Sequence, residues 1–173
     1  MFTQTNQRGP DRRARYAAGK ALRQIVPRER LADFTPPANR NAAAIIAETE
    51  NDRIQALLPL RQKSMAESPH AFLRGAADVM AADLATQPAP GVRAQVCGDC
   101  HLMNFGAFIS PEGHALFDVN DFDETLPNVD VTVDLRRLTT SVVVAALGAD
   151  KSKQAARSMA RSAVKAYRRD MIE

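Results

Sequence analysis

One change of period decides what this chain can fold into. Up to about residue 87 the apolar side chains recur at helical intervals, from Val92 to Val119 they alternate, and beyond Pro127 the helical interval returns. The run Pro88-Ala89-Pro90-Gly91 punctuates the first switch. Helices, a strand, a loop, a hairpin, a second loop and helices again make an α+β chain, mostly helical, with its strands confined to the middle.

Local signals place the pieces. A short helix is expected around Arg12–Ile25, then an irregular stretch broken by Pro27, Pro36 and Pro37. Asn39 or Asn41 caps the next helix, NRNAAAIIAETENDRIQALLPL, whose Ile45, Ile46, Ile54, Leu57 and Leu58 keep helical spacing until Pro59 ends or kinks it. Ser68-Pro69 opens a third, with Phe72, Ala76, Val79, Met80 and Leu84 on one face. VRAQVC reads as a strand, and FGAFIS, the turn Pro111-Glu112-Gly113 and HALFDVND read as a hairpin. After Pro127 a helix runs through VTVDLRRLTTSVVVAAL to Gly148, with Val142–Leu147 as its core stripe, and KSKQAARSMARSAVKAYRRDMIE forms the last. Residues 1–38 are expected to be a basic, partly irregular arm, and 39–173 the region that carries the chemistry.

No apolar run approaches the ~20 residues of a membrane-spanning helix, and no apolar segment follows the basic residues near the start. A cytoplasmic protein with no membrane partner is expected. Two cysteines, Cys97 and Cys100, do not make a disulfide scaffold. The net charge of +3 hides a segregation. Residues 1–40 carry nine Lys/Arg against three Asp/Glu, residues 91–134 only Arg93 against eight acids, and residues 135–173 nine against three. The basic ends lack the aromatic platforms on which bases stack, which argues against nucleic acid as a partner. The carboxylates of residues 91–134 repel one another unless a cation sits among them.

Two polar loops each follow an expected strand, so both should emerge at one end of one small sheet. The first is Gly98-Asp99-Cys100-His101-Leu102-Met103-Asn104-Phe105 and the second Asn120-Asp121-Phe122-Asp123-Glu124-Thr125. Phosphoryl transfer asks for a carboxylate that orients and deprotonates an acceptor hydroxyl, and for oxygen ligands that hold Mg²⁺ against nucleotide phosphates. Asp99 would be the base. Asn104, five residues on, and Asp121, across the hairpin, would be the ligands. His101 either exchanges protons or makes an orienting hydrogen bond, the commoner use of a loop histidine. Asp123 helps a second cation or holds a basic partner, and Glu124 caps a turn. Asp118 rivals Asp121, since strand alternation points the two to opposite faces. Arg74 is a phosphate-binding candidate or else a structural arginine paired with Asp78. Cys97-Gly98-Asp99-Cys100-His101 also fits the C-x-x-C-H pattern of c-type haem attachment, which would need export. Cys97, Cys100, His101 and His114 could instead bind zinc, although ligands at adjacent positions diverge; or both thiols are simply buried.

The longer motifs carry a resemblance. Gly98-Asp99-Cys100-His101-Leu102-Met103-Asn104 resembles the G-D-x-H-x-x-N catalytic loop of the aminoglycoside-phosphotransferase branch of the protein-kinase-like fold. Asn120-Asp121-Phe122-Asp123 resembles its metal-binding I-D-F-D strand end, and Val133-Asp134-Leu135 its D-L-A helix start. SPHAFLRGAADVMAADLA, VCGDCHLMNFGAF and LFDVNDFDETLP are similar to the bacterial family known as domain of unknown function 2252 (DUF2252), over about residues 39–150. The resemblance implies a kinase-like C-lobe fragment with Asp99 as base, Asn104 and Asp121 as Mg²⁺ ligands and Asp134 bracing the catalytic loop. Position 100 is usually small in the family, so Cys100 departs mildly from it. The implied activity is ATP- and Mg²⁺-dependent phosphoryl transfer to a small-molecule or protein hydroxyl.

Such a site also needs a glycine-rich turn over the phosphates and a strand lysine. The five lysines, Lys20, Lys63, Lys151, Lys153 and Lys165, fall in expected helices or loops, and no G-x-G-x-x-G run exists. In the family these parts lie downstream, so this chain is expected to be the front of a longer protein that its C-terminal portion completes. The alternative is a non-catalytic divalent-ion-binding or interaction module. Metal-dependent hydrolysis ranks below both, because Asn104 replaces poorly the bridging carboxylate of a two-metal site.

Overall fold

The computed structural model describes residues 11–171, so the first ten residues of the expected basic arm lie outside the described residues. Helix α1 (Arg12–Ile25) starts at Asp11, whose carboxylate accepts from the Ala14 N–H at 2.7 Å, and none of its side chains is buried. The proline-rich stretch that follows is lashed to the body at two points. Arg40 forks onto Asp83 at 2.6 and 2.9 Å, and the Gln87 amide pairs with both backbone groups of Thr35 at 3.0 and 2.9 Å.

Helix α2 (Ala42–Thr49) is capped by Asn41, which accepts from Ala44 N–H at 3.0 Å. The single long helix expected here is two. The chain turns after Glu50, and Pro59 lies in the first turn of α3 (Leu58–Ala66) instead of ending a helix. Proline fits there because the N–H it lacks has no partner in a first turn, and Asn51-Asp52 favour the turn between. Ser68 opens α4 (Pro69–Gly75), accepting from Ala71 N–H at 3.0 Å. The next expected helix is also split, at Ala76 (φ −127°, ψ 47°), and α5 (Ala77–Ala85) follows. Met65, Ala76 and Val79 form a small buried core, with Ala42, Ile45 and Ile46 packed on it.

The strands are β1 (Arg93–Val96), β2 (Phe105–Ile109), β3 (Ala115–Val119) and β4 (Leu126–Asp130). They make two antiparallel ribbons, β1 with β4 and β2 with β3, where one small sheet was expected. Strand β4 has no counterpart in the sequence reading, because Pro127 reads as a breaker. The register places Ala94 opposite Val129 and Val96 opposite Leu126, so Pro127 and Asn128 share the space facing Gln95. A bulge of this kind admits a residue with no N–H to give, and Asn128 takes the left-handed conformation (φ 59°).

The β2–β3 hairpin closes through a Gly113 N–H to Ser110 carbonyl bond of 2.9 Å, and its Phe117 is 72% exposed. Helix α6 (Thr132–Gly148) follows β4, and α7 (Lys153–Asp170) packs along it. Of the α6 stripe expected in the core, Ala146 is buried and Leu147 is exposed. No helix of the described residues is long and apolar enough to cross a membrane.

This topology positions the two polar loops. Residues 97–104 lead from the first ribbon to the second, and residues 120–125 lead back, so both span the same gap. They touch at Gly98, whose φ is 85° and where an added Cβ would stand 2.0 Å from the Glu124 carbonyl oxygen. Gly113 has nearly the same φ, 84°, with nothing near it. Gly113→Ala should therefore cost only the left-handed penalty of about 1–2 kcal/mol in urea unfolding. Gly98→Ala should cost about 3 kcal/mol or more, since a backbone clash is added. Equal losses would contradict the close crossing.

Candidate functional site

Asp134, Arg137 and Ser141 stand three and four residues apart, hence on one face of α6. All three reach the first loop. Asp134 accepts from the N–H groups of Cys97 and Gly98 at 2.8 and 3.0 Å. Arg137 grips Asp99 Oδ1 through Nε and Nη2, while Nη2 also donates to the Leu73 carbonyl at 2.8 Å and Nη1 points at the Met80 sulfur, 3.7 Å away. Ser141 Oγ accepts from Leu102 N–H at 2.9 Å. Arg137 is 1% exposed and Ser141 0%.

Within the loop, Asn104 Nδ2 donates to the Asp99 carbonyl at 2.8 Å. His101 Nδ1 accepts from Met103 N–H at 3.1 Å, which assigns the ring proton to Nε2, 3.5 Å from Asp99 Oδ2. Asp99, His101 and Asn104 are all buried. The second loop is tied to the first beside them. Asn120 N–H donates to the Asn104 carbonyl at 3.0 Å, and the Cys97 thiol reaches the Asp121 carbonyl at 3.4 Å. Asp121 is exposed, and its charge is felt at Asp99. Its Oδ1 accepts from Asp123 N–H at 3.2 Å. Asp118, the rival, is exposed on β3, and its Oδ1 accepts from the neighbouring Val119 N–H at 2.7 Å.

Arg74 is exposed near the end of α4, close enough for its charge to act on Asp99 and His101. No ion pair between Arg74 and Asp78 forms among the described residues; the buried structural arginine is Arg137. Sequence reasoning missed both Arg137 and Ser141. Their signal was the interval itself: three polar side chains at 134, 137 and 141 on one line of the helix.

Burial raises the Asp99 carboxyl above its ordinary range, against the opposing pull of Arg137. Burial, followed by Arg137, Arg74 and His70, lowers His101 to about 4, so its imidazole is neutral at pH 7. Glu124 is raised by burial and by the charges of Asp99, Asp121 and Asp123. The thiols of Cys97 and Cys100 are free and are pushed up, chiefly by burial, to about 11 and about 12. Thiols so held are poor nucleophiles.

Asn104 has spent its amide nitrogen, which leaves Oδ1 for a cation, and Asp121 keeps Oδ2. Such hard oxygen donors fit Mg²⁺. Among the described residues no group of three or more His, Cys, Asp or Glu side chains gathers tightly enough to hold a metal ion. A Mg²⁺ ion here would therefore draw most of its ligands from water or phosphate oxygens, as this ion commonly does. The four strands contain no lysine, so the described residues offer nucleotide phosphates no strand-borne ammonium.

The family described as "Uncharacterized protein conserved in bacteria (DUF2252)" matches residues 53–173, from the turn before α3 through α7. The match begins later than the resemblance read from the motifs and extends past it to include α7. No curated protein and no solved structure matches the chain.

Removing the Arg137 charge would strand a buried carboxylate. Arg137→Met should cost about 3–5 kcal/mol in chemical unfolding. Adding Asp99→Asn should return at least about 1 kcal/mol of that loss, the coupling expected of a direct pair; strictly additive losses would rule the pair out. A second prediction concerns pH. His101 titrates near 4 in the folded chain against 6.5 as a free side chain. The unfolded chain thus binds more protons between those values, and stability present above pH 6.5 drains away as pH falls towards 4. Asp99, raised, works in the opposite sense, so the comparison is with His101→Gln. That variant should lose less Tm over this window than the parent does. Parallel curves would mean that His101 is charged in the folded state.

Proposed function

The chain belongs to the DUF2252 family of bacterial proteins, and from that premise we propose that it carries the core of an ATP- and Mg²⁺-dependent phosphotransferase. In this reading it is a kinase-like C-lobe acting on a hydroxyl of a small molecule or a protein. The observation that supports the reading is the crossing of two loops, which ties the Asn104 carbonyl to Asn120 N–H and the Asp121 carbonyl to the Cys97 thiol, next to an Asp99 gripped by Arg137.

Asp99 is the base. Its raised pKa suits a carboxylate that must accept the proton of an attacking hydroxyl. Arg137 fixes Oδ1, which leaves Oδ2 as the reacting oxygen, and the neutral His101 Nε2–H orients it. Asn104 Oδ1 and Asp121 hold Mg²⁺, and Asp123 fixes the Asp121 carboxylate through its N–H. When bound, Mg²⁺ supplies charge neutralisation at the phosphate oxygens. Arg74, exposed beside Asp99, offers a fork to the same oxygens. The missing strand lysine and glycine-rich turn make this core incomplete, and a further C-terminal portion of a longer protein supplies them in this reading.

One observation favours a second reading. One Asp99 oxygen is already held by Arg137 and the other faces His101, the pattern of a structural ion pair. A non-catalytic divalent-ion-binding or interaction module would carry such a pair.

Two measurements separate them: Mn²⁺ titration by electron paramagnetic resonance, with Mn²⁺ standing in for Mg²⁺, and transfer from γ-labelled ATP to a panel of hydroxyl acceptors. Asp121→Ala should weaken Mn²⁺ binding about tenfold or more. Asp99→Asn should spare Mn²⁺ binding and lower transfer by about 10²–10⁴. Transfer is measured on a chain that also carries the completing C-terminal portion. Mn²⁺ binding without transfer there to any acceptor would favour the second reading, and no Mn²⁺ binding would remove the phosphotransferase and leave only an interaction module.

A further inference from the structure

On the side of Arg137 away from the loops, residues 31–34 of the arm bridge a cavity of about 490 Å³ between α4, α5 and α6. That volume lies within the roughly 300–1,000 Å³ of small-ligand pockets. The wall is mostly apolar, with Leu31 and Phe34 from the arm and Phe72, Leu73, Val79 and Met80 from the helices. The bridge is fastened beyond one end by the Arg40–Asp83 fork and beside Phe34 by the Thr35–Gln87 pairing. It is therefore a strap held in place over the cavity.

The polar groups on this wall are committed, with one exception. Asp33 is paired with Arg30 at 2.7 Å, Arg40 is spent on Asp83, and Arg137 on Asp99, Leu73 and Met80. The hydroxyls of Thr139 and Thr140 donate to carbonyls of their own helix at 2.9 and 2.7 Å. Arg136 is different. Its Nη2 donates to the Pro88 carbonyl, its Nε is enclosed with no acceptor, and no carboxylate pairs with it among the described residues. Asp130, the acid whose charge reaches it, is occupied by the N–H groups of Gly91 and Thr132 at 2.7 and 2.9 Å. A half-buried guanidinium beside apolar side chains is costly without a counter-charge.

We infer that this cavity binds a small amphipathic monocarboxylate, its tail among Phe34, Phe72, Leu73 and Met80 and its carboxylate on Arg136. A single cationic group with no other uncommitted donor beside it matches one planar, singly charged head. A phosphate would call for more donors than the wall presents. The inference does not depend on the phosphotransferase reading.

The test is calorimetry on the whole chain with decanoate, and with decanol as the neutral control, both kept below self-association. Decanoate should bind saturably at one site, about tenfold or more tighter than decanol, as a charge-assisted bond implies. Arg136→Met, which keeps the apolar stem, should erase that preference. Phe34→Ala, at a strap position 53% exposed and so tolerant of change, should weaken both ligands. Absence of saturable decanoate binding, decanol binding as well as decanoate, or an unchanged preference in a folded Arg136→Met would overturn the inference. Should Arg136→Met fail to fold, the decanoate–decanol comparison on the parent and on Phe34→Ala decides it.

Discussion

The buried contact between Arg137 and Asp99 is the point at which this structure is joined. Arg137 belongs to α6, yet its guanidinium also meets Leu73 of α4, Met80 of α5 and Asp99 of the first loop. Four parts of the chain are located relative to one another by one planar group. A buried ion pair of this kind adds little net stability over an apolar replacement, because desolvating both charges offsets most of their attraction. Its contribution is geometric: with five N–H donors in a fixed plane, only a narrow range of placements satisfies all the acceptors.

Around that joint the two-ribbon topology acts as a frame. The first loop leaves one ribbon for the other and the second loop returns, so neither can shift without pulling on β1 and β4, which are paired. The backbones come closest at Gly98, where the lack of a side chain is a spatial requirement as well as a conformational one. The acidic character of this region follows from the same crowding. The charge of Asp121 raises Asp99, and those of Asp99, Asp121 and Asp123 raise Glu124, so a cation or a basic partner would relieve both.

What could be read from the chain alone depended on how far each signal reaches. The Asn41 and Ser68 caps, the hairpin turn and the stop at Gly148 are legible because the residues that decide them lie within a few positions. The break after α2 is not, since Ile54 and Leu57 continue the helical interval. It is held by side chains from further on, Gln55 bonding the Glu50 carbonyl at 3.0 Å and Gln62 its carboxylate at 2.9 Å. Strand β4 is hidden for a similar reason: its partner is about thirty residues upstream, and Pro127 counts locally as a breaker. In the site, Asp99, Asn104 and Asp121 are readable from spacing and motif. Arg137 is not, because nothing near it in the chain says that its carboxylate lies 38 positions away.

The interval from Asp134 to Ser141 makes α6 a ruler. Along this interval the count of residues is fixed as firmly as the identities of the three that reach the first loop. One residue inserted there would rotate the rest of the helix by about 100° and carry Ser141 away from Leu102. Length can change instead at the hairpin tip, residues 111–113, where Gly113 faces open space, and at the joint before Ser152. Those two places are where a fluorescent label, an affinity tag or a grafted peptide can be carried without disturbing the loops.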